Sequence, residues 1–590
     1  MRIFVFHLSL FLLLSISAFS QDIRYELSMP EPHTHYYEVS MTFEKAKGPI
    51  DVYIPNWTPG SYKIRDFAKN LADISASFGE KETEILKTEK NIWRITEPSA
   101  GSIRINYRVY AFENSVRTSF LDDSHGYING ASVFMIPAGM ESAAIMLDIK
   151  PFESWSKVST GLEKQGEFSF KANDYHTLID SPIEIGNHEQ HFFEMEGIAF
   201  EVAIYGTTEG IHEEWVEGIK KIVKATHEIM PDLDLDRYVF IIHSLTQGTG
   251  GLEHMNSTLL QYSRWTYQNP SSFFSLVAHE YFHLWNAKRI KPTELASFDY
   301  QKENYTTLLW FAEGVTSYYE NLILLKAGFF DISTYLNKTM STLNYVESQP
   351  GVKEQSLAES SFDSWIKFYQ PNENSVNTTV SYYSKGKIIA LLLDIEIIRA
   401  TSGEKSLDDV LELLYKEYYL KKNIGYSEES LIAACEKVAG QDMKLFFDSY
   451  IYGTRTPDYP SFFGAVGIPA LVEENKRAEL GASTRTDNGK TVISRVLRGS
   501  SAYESGLNVN DEIIAVNGFR LQKNELKSVM STKYVGDTIQ VLISRDGIIR
   551  EMDVVLRESN TLKTSIFPPG DIKKEKRVNF RTWIRDNDES

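Results

Sequence analysis

The chain contains one cysteine among its 590 residues, so no disulfide can form within it, even in an oxidising compartment. Its domains must therefore be stabilised by buried apolar surface. Cys435 lies in the apolar stretch 431–435, where a cysteine usually packs as a small hydrophobic side chain. No histidine or other base motif accompanies it, which disfavours a thiol nucleophile.

Long apolar runs and positive charge are also scarce. After the first twenty residues, no stretch reaches about 18 consecutive apolar residues, the length that a transmembrane helix needs. The formal net charge is −19, and nucleic-acid phosphates and anionic membrane surfaces repel a chain with such an excess of acid. We therefore expect no nucleic-acid partner and no stable membrane insertion.

Residues 1–20 have the composition of a secretory signal peptide. Arg2 gives a positive start, an apolar run covers 8–16, and Ala18 and Ser20 are small residues at the positions that a signal peptidase inspects. We expect cleavage after Ser20 and export of the mature protein to the periplasm or the extracellular space.

The pentad His-Glu-x-x-His occupies residues 279–283, inside an apolar helical pattern that spans 271–286. Residues four apart lie on one face of a helix, so His279 and His283 can bind the same metal ion. Glu280 is next to the first ligand and can accept a proton from water without binding the metal. These are the parts that a zinc hydrolase needs, and we expect one zinc ion per chain.

A third protein ligand should come from a second helix packed against the first. The helical stretch 306–320 supplies Glu313, whose neighbours Trp310 and Phe311 are apolar, and an unpaired carboxylate is costly to bury in such surroundings. Binding to a metal would remove that cost. Glu320, farther along the same stretch, is the competing candidate and ranks lower because its surroundings are more polar.

These residues resemble those of a known group of enzymes. The pentad at 279–283, followed by Glu313 in a Trp-x-x-Glu-Gly context, resembles the gluzincin metallopeptidases, which include thermolysin and the zinc aminopeptidases. With Gly-Gly-Leu-Glu-His at 250–254, Tyr-Ser-Lys-Gly at 383–386 and a terminal PDZ-like module, the chain is similar to the glycyl aminopeptidase family. The resemblance covers nearly all of the chain after its leader.

The resemblance implies roles for further residues. Tyr383 matches the tyrosine with which zinc aminopeptidases stabilise the tetrahedral intermediate, and Tyr382 is its immediate rival. Glu253 matches the glutamate that holds the free α-ammonium of the substrate, and Gly250 and Gly251 would let the substrate approach the backbone. The aminopeptidase pattern is Gly-x-Met-Glu-Asn, so this stretch departs from it on both sides of the glutamate.

Two loops in the first half of the chain also match the family. Trp-Thr-Pro-Gly-Ser-Tyr at 57–62 is a turn between strands that resembles a segment common in these enzymes. Asp-Ser-Pro-Ile-Glu-Ile-Gly at 180–186 resembles a loop near the rim of their active site. Ordinary turn chemistry is the alternative interpretation of both loops.

The hydrophobic periodicity predicts several domains and a multidomain α+β fold. Alternating strands such as 103–110 predict an N-terminal β-sandwich or saddle domain over 21–205. Helices and one strand follow, and we assign 206–462 to a thermolysin-like peptidase domain with an α+β part and a helical part. Residues 463–560 have the residue order of a PDZ domain, and 561–590 read as a polar, mobile tail.

A PDZ domain binds a peptide C-terminus or an extended strand along a sheet edge, and residues 480–482 are the candidate carboxylate-binding loop. A purely structural role for this domain is the alternative.

Three functions fit the sequence. The favoured one is an exported zinc aminopeptidase acting on peptides, with the preference for N-terminal Gly or Ala that the family resemblance implies. A zinc endopeptidase that selects its substrates through the PDZ domain is the second. The third is a peptide-binding scaffold with a structural metal, which Glu280 argues against because a structural zinc needs no general base.

Overall fold

A computed structural model describes residues 23–45, 48–96, 100–206, 212–231, 233–266, 270–521, 525–559, 561–570 and 572–586. The predicted signal peptide lies outside these ranges. Among the helices that they contain, none has both the length and the apolar composition needed to cross a membrane.

The N-terminal domain consists of three β-sheets around one core, which confirms the predicted β domain. In the strand Gly101–Tyr110, every second residue from Ile103 to Val109 is buried, the alternation of a half-buried strand. The largest sheet has the spatial order Glu163–Lys164, Ser169–Ala172, Ile145–Lys150, Ile23–Ser28, Tyr36–Lys45, Gly101–Tyr110, Leu71–Phe78 and Lys81–Thr83. The smaller sheets contain Lys157–Thr160, Ile183–Gly186, His125–Ile128 and Phe120–Leu121, and Ile136–Pro137, Ile50–Tyr53, Ile92–Ile95 and Ile85–Glu89.

A five-stranded sheet forms the β part of the peptidase domain. Its spatial order is Glu189–Met195, Ile198–Tyr205, Arg237–Leu245, Ser257–Ser263 and Gly250–Glu253. The three central strands are parallel, and Gly250–Glu253 is an antiparallel edge strand. The outer side of that edge strand is available for pairing with an extended peptide.

The boundary predicted at residue 205 differs from the observed one. The strands Glu189–Met195 and Ile198–Tyr205 belong to the peptidase sheet, where Ile198–Tyr205 pairs with Arg237–Leu245. The N-terminal domain therefore ends between Gly186 and Glu189. Strand periodicity predicts that a segment is a strand but does not indicate which sheet it joins, which explains the difference.

The helical lobe is organised around the helix Ser384–Ala400, which is buried along almost its whole length. The pentad lies on the helix Ser271–Phe282, with His212–His227 packed beside it. The remaining helices of the lobe are Thr316–Lys326, Ile332–Glu347, Leu357–Phe362, Ser375–Thr378, Leu407–Leu414, Glu428–Ala439, Lys444–Tyr450 and Tyr459–Ala465, with π-helical turns at Trp310–Val315 and Tyr415–Leu420.

A separate module with its own core follows the helical lobe. Its strands are Ala482–Asp487, Lys490–Val496, Glu512–Val516, Phe519–Arg520, Thr538–Arg545 and Ile548–Val555, and its helices are Ser501–Glu504 and Glu525–Met530. The module docks on the helix Ser375–Thr378, where the amide of Asn377 donates to Val496 O at 2.9 Å and accepts from Arg498 N at 2.8 Å.

The predicted mobile tail is wrong for residues 561–570 and 572–586. Leu562–Ile566 pairs with Ala470–Glu474 beside the helical lobe, and the helix Lys574–Trp583 packs on that lobe with Trp583 fully buried. Arg585 follows and forms buried ion pairs with Asp394 and Asp408 at 2.7 and 2.6 Å. The segment is thus held in place by a few buried residues, although several of its other charged side chains, such as Lys574 and Arg577, are exposed.

Candidate active site

The pentad helix owes its position to its apolar face. Phe273, Phe274, Val277, Ala278, Tyr281 and Phe282 are buried against the peptidase sheet and the neighbouring helices. The helix Ser271–Phe282 ends one residue before His283, which keeps helical backbone angles. His279 and His283 therefore lie side by side, with ring centroids 4.7 Å apart.

Glu313 faces both histidines. It lies in the π-helical turn Trp310–Val315, and its Oε2 is 3.5 Å from His279 Nε2 and 3.3 Å from His283 Nε2. This oxygen is buried and receives no well-directed hydrogen bond from any described residue. Two imidazole nitrogens and one carboxylate oxygen converge here, and this donor set fits a catalytic zinc ion with an open fourth position.

The Nδ1 atom of each histidine, on the opposite side of the ring from Glu313, contacts a different residue. His279 Nδ1 is 3.5 Å from a carboxylate oxygen of Glu320, which also accepts a hydrogen bond from Ser275. His283 Nδ1 is 2.9 Å from the carbonyl oxygen of Asn286. Glu320 thus lies on the far side of His279 from Glu313, so it orients that ring rather than competing for the Nε2 position.

Asn286 ties the pentad helix to the turn that carries Glu313. Its buried amide donates to the carbonyl oxygens of Phe311 and Ala312 at 2.8 and 2.9 Å. A π-helical turn changes the usual helical hydrogen-bond pattern, and Asn286 provides a donor to its carbonyls. The orientation of Glu313 therefore depends on a residue just beyond the pentad.

The electrostatics of the site favour a cation between these side chains. Burial lowers the pKa of His279, but the adjacent carboxylates of Glu313, Glu320 and Glu280 outweigh burial and raise it to about 10. Burial raises the pKa of Glu313, but the two histidines reverse this effect and lower it to about 2. An ionised carboxylate beside rings that favour positive charge is a suitable environment for a divalent metal.

Glu280, the glutamate of the pentad, lies directly against the edge strand. Burial raises its pKa, the two histidines lower it, and Glu253 and Glu313 raise it again, with a net value of about 7. Gly251 lies so close that a Cβ added there would be 2.2 Å from a Glu280 oxygen. Only glycine allows this approach, which explains why the sequence has glycine at this position of the strand.

Glu253 lies at the end of the edge strand, in a pocket made by the N-terminal domain. A Cβ added at Gly60 would be 2.7 and 2.8 Å from its two carboxylate oxygens. The hydroxyl of Tyr369 donates to Gly60 O at 3.3 Å. The turn at 57–62 is therefore part of the site rather than a remote hairpin. Glu253, Glu280 and His283 offer ligand-type atoms within 4.8 Å of one another.

The segment 180–186 supports this pocket through its first residue, Asp180; only the start of the segment is a loop, because Ile183–Gly186 is a strand. Asp180 accepts hydrogen bonds from Met255 N at 2.9 Å and from Lys288 Nζ at 2.8 Å, and it is 3.2 Å from His254 Nδ1. It connects the segment after Glu253 to the segment after the pentad. Burial raises the pKa of Asp180, but Lys288 and His254 outweigh it and keep the carboxylate ionised.

Tyr383 and Tyr382 occupy different environments. Tyr383 lines the cleft and stacks on His279 with ring centroids 6.2 Å apart. Tyr382 is fully buried against Phe368 and does not line the cleft. Of the two, Tyr383 has the position from which a hydroxyl can reach a substrate.

The cleft has a volume of about 550 Å³ and contains all the predicted site residues except Gly250 in its lining. Gly250 is at the start of the same edge strand. Arg117 and Tyr369 also line the cleft, although neither was predicted from the sequence. Neither lies in a motif, so nothing in the local sequence distinguished them from ordinary surface residues.

Comparison with known proteins agrees with this geometry. Residues 24–187 match the Peptidase M61 N-terminal domain, residues 272–389 match the M61 glycyl aminopeptidase family, and residues 478–556 match the PDZ domain. Two segments of the chain are thus similar to the M61 glycyl aminopeptidase family. The M61 match at 272–389 contains both histidines, Glu280, Glu313 and Tyr383.

The chain is also similar to solved structures. An aminopeptidase N family protein from Idiomarina loihiensis is 29% identical, with a TM-score of 0.88 over 95% of this chain and 100% of that one. An M1 zinc metallopeptidase from Deinococcus radiodurans is 12% identical, with a TM-score of 0.49 over 75% of this chain and 95% of that one. Together, these matches support a zinc peptidase with a C-terminal PDZ domain.

A curated relative matches only part of the chain. Protein PALS1 from Danio rerio is 29% identical over 103 residues, which is 17% of this chain and 15% of that protein. The chain thus spans a small part of the length of this relative.

Proposed function

We propose that this enzyme removes single N-terminal residues from short peptides, with a preference for Gly and Ala, and that Glu253 selects the free α-ammonium. The observation that carries the proposal is the position of Glu253 at the end of the edge strand, within 4.8 Å of ligand-type atoms of Glu280 and His283. A carboxylate there would hold the ammonium by a charge-assisted hydrogen bond and place only the first peptide bond beside the catalytic groups.

The narrow surroundings of Glu253 support the preference for small side chains. Gly60 covers the carboxylate closely, and the hydroxyl of Tyr369, which also lines the cleft, donates to Gly60 O. A short side chain on the first residue requires little space next to these groups. Bulky side chains would have to displace the turn that carries Gly60.

His279, His283 and Glu313 would hold the zinc ion, which when bound supplies a Lewis acid that acidifies water and polarises the scissile carbonyl. Glu280 then accepts the proton of the attacking water and later donates it to the leaving amine. The Tyr383 hydroxyl donates a hydrogen bond to the oxygen on which negative charge develops. Gly251 lets the substrate backbone lie next to Glu280.

The proposal extends to location and partners. The leader at 1–20 supports export, so the substrates would be peptides in the periplasm or outside the cell. In the PDZ domain, a groove between the strand Ala482–Asp487 and the helix Glu525–Met530 has the position at which such domains take a peptide C-terminus or strand.

A comparison of free and N-acetylated peptides tests the proposal. Short peptides that begin with Ala should lose that one residue, and their acetylated forms should be inert. Glu253→Gln removes the charge but keeps the shape and should lower kcat/KM on free peptides about 10- to 100-fold. Glu194→Gln is the matched control because Glu194 is exposed on the opposite edge of the same sheet.

Mass spectrometry of the products distinguishes the alternatives. Equal cleavage of free and acetylated peptides at internal bonds would contradict the aminopeptidase assignment and indicate an endopeptidase. Replacing the first Ala by Phe or Leu tests the size preference separately, since a peptide with a bulky first residue should be cleaved more slowly.

A further inference from the structure

Two arginines of the N-terminal domain lie beside the cleft without an acidic partner. Arg117 lines the cleft, and its Nη1 is 3.9 Å from the Cβ position of a side chain built at Gly250. Arg65 donates to Ser61 Oγ at 2.9 Å. Among the described residues, neither guanidinium forms an ion pair with a carboxylate, and the Nε of each is buried without a hydrogen-bond partner.

Such an arrangement is unusual in a chain with a net charge of −19. Buried or half-buried cations are normally paired, because an unpaired charge that leaves water is costly. Burial lowers the pKa of Arg65, and the charge of Arg117 lowers it further, so the two guanidiniums are close enough to repel each other. Glu113 raises this pKa and offsets the two effects only in part, without forming an ion pair. An anion bound between them would relieve both costs.

The position of Arg117 along the edge strand indicates which anion fits. Glu253 is at one end of Gly250–Glu253, Gly251 faces Glu280, and Gly250 at the other end is next to Arg117. Four residues of strand span about 10 Å between their ends at a rise of about 3.3 Å per residue. An extended tripeptide has about the same length.

We propose that Arg117, assisted by Arg65, binds the C-terminal carboxylate of a short peptide whose N-terminus is held by Glu253. The planar guanidinium of arginine matches a carboxylate in a two-point hydrogen-bonded pair. The cleft then binds both termini of its substrate and thereby selects peptides of about three residues. This inference rests on the proposed aminopeptidase function and names the substrate class of that same site.

The test compares Ala-Ala-Ala with its C-terminal amide. Binding is measured by calorimetry in the Glu280→Gln variant, and kcat/KM is measured in the active enzyme. We expect the free acid to bind at least about tenfold more tightly than the amide, since one charge-assisted hydrogen-bonded pair is lost in the amide. Arg117→Gln should abolish this difference by weakening only the acid.

Arg94→Gln is the matched control. Arg94 is an exposed arginine of the same domain, paired with Asp51 at 2.6 Å, and its loss changes the net charge equally. It should leave the ratio between acid and amide unchanged. Arg117→Lys keeps the charge but not the planar fork, so it should retain only part of the preference for the acid.

Two outcomes would overturn the proposal. Equal affinity of the unmodified site for acid and amide would show that no terminal carboxylate is bound, whether or not Arg117→Gln folds. Tight binding of Ala-Ala-Asp-amide would assign the arginines to an acidic side chain instead. Release of N-terminal Ala from the amide tests the aminopeptidase function independently, so failure of the length selection and failure of the proposed function give different results.

Discussion

Gly314 and Gly386 lie with backbone against backbone at the centre of the helical lobe. A Cβ added at Gly314 would be 2.6 Å from the Cα and the carbonyl carbon of Gly386 and 2.9 Å from the carbonyl oxygen of Tyr382. Gly314 directly follows Glu313, and Gly386 is three residues after Tyr383. This contact therefore sets the distance between the proposed third metal ligand and the proposed hydroxyl donor.

Gly314→Ala should impair both stability and turnover. The added methyl group has no space, and overpacking of this kind typically costs about 1–3 kcal/mol. Because the two backbones must separate, kcat should fall. Gly464→Ala is the control, since Gly464 lies in the helix Tyr459–Ala465 with nothing within 4 Å of its Cβ position. Thermal unfolding and kcat, measured on both variants, check the prediction, and an unchanged kcat in Gly314→Ala would contradict it.

Glu280→Gln should separate metal binding from catalysis. His279, His283 and Glu313 remain in place, so the variant should keep its zinc while losing the group that accepts the proton. General acid–base catalysis typically contributes about 10²- to 10⁴-fold, and kcat should fall by at least that range. Metal analysis and kcat check both parts. A chelator should abolish turnover of the unmodified enzyme, and full activity of a metal-free sample would refute the zinc mechanism.

Tyr383→Phe should lower kcat by about 10²- to 10³-fold with little change in KM, the usual effect of losing one donor to a developing negative charge. Tyr382→Phe is the matched control, because it removes a hydroxyl from a neighbouring buried tyrosine that does not line the cleft. Steady-state kinetics of both variants on one free peptide show which of the two hydroxyls contributes to turnover. Normal turnover by Tyr383→Phe would show that the Tyr383 hydroxyl does not stabilise the developing negative charge.

The proposed metal ligands could be predicted from the sequence because each of them has a local signal. The spacing of His279 and His283 places both on one helical face, and the apolar neighbours of Glu313 make an unpaired carboxylate there costly. Asn286 and the π-helical turn that orient these ligands were not predictable. Their contacts join segments that only the tertiary structure brings together.

Residues whose partners are distant in the chain gave no local signal. Arg117 has no motif around it, and its relation to Gly250 arises from the docking of one domain on another. Arg585 lies in a charged segment that reads as a solvated tail, yet its partners Asp394 and Asp408 lie on two helices of the peptidase domain. Polar composition alone does not distinguish a mobile tail from a buried ion-pair network.

A buried cluster between the two domains should make stability dependent on pH. Glu184 of the N-terminal domain bridges His125 and His243 through hydrogen bonds of 2.8 Å each. Burial raises the pKa of Glu184, but the two histidines outweigh it and hold the pKa below its usual range. Burial lowers the pKa of His243.

Both shifts act in the same direction. Groups with a lowered pKa in the folded state contribute stability above their unfolded pKa, and this stability is lost as the pH falls. Tm should therefore fall from about pH 6.5, the ordinary pKa of histidine, and continue to fall below about pH 4.3, that of glutamate. Below about pH 4.3, calorimetry should show a flatter profile for Glu184→Gln than for Glu194→Gln, and parallel profiles in that range would contradict the assignment.

The PDZ domain should be dispensable when it is removed by an internal deletion that keeps the two paired strands on either side of it. A chain that ends near residue 460 loses Trp583 and Arg585, and the fully buried Asp394 then lacks its cation. Breaking a buried ion pair by removing one partner typically costs about 3–5 kcal/mol. Such a truncated chain should be strongly destabilised or unfolded, although every proposed catalytic residue precedes the cut.

An internal deletion avoids this loss. The strands Ala470–Glu474 and Leu562–Ile566 form a two-stranded ribbon that leads into and out of the PDZ domain. Glu474 and Leu562 are paired at the end of this ribbon, so an Asn-Gly turn can join them directly. The deleted chain keeps the ribbon, the C-terminal helix and Arg585, and should retain its zinc and its kcat/KM on a tripeptide. Asn377 would exchange its bonds to the PDZ domain for bonds to water. A folded, zinc-loaded deletion variant without activity would show instead that the PDZ domain shapes the cleft through Ser375–Thr378, the helix just before Tyr383.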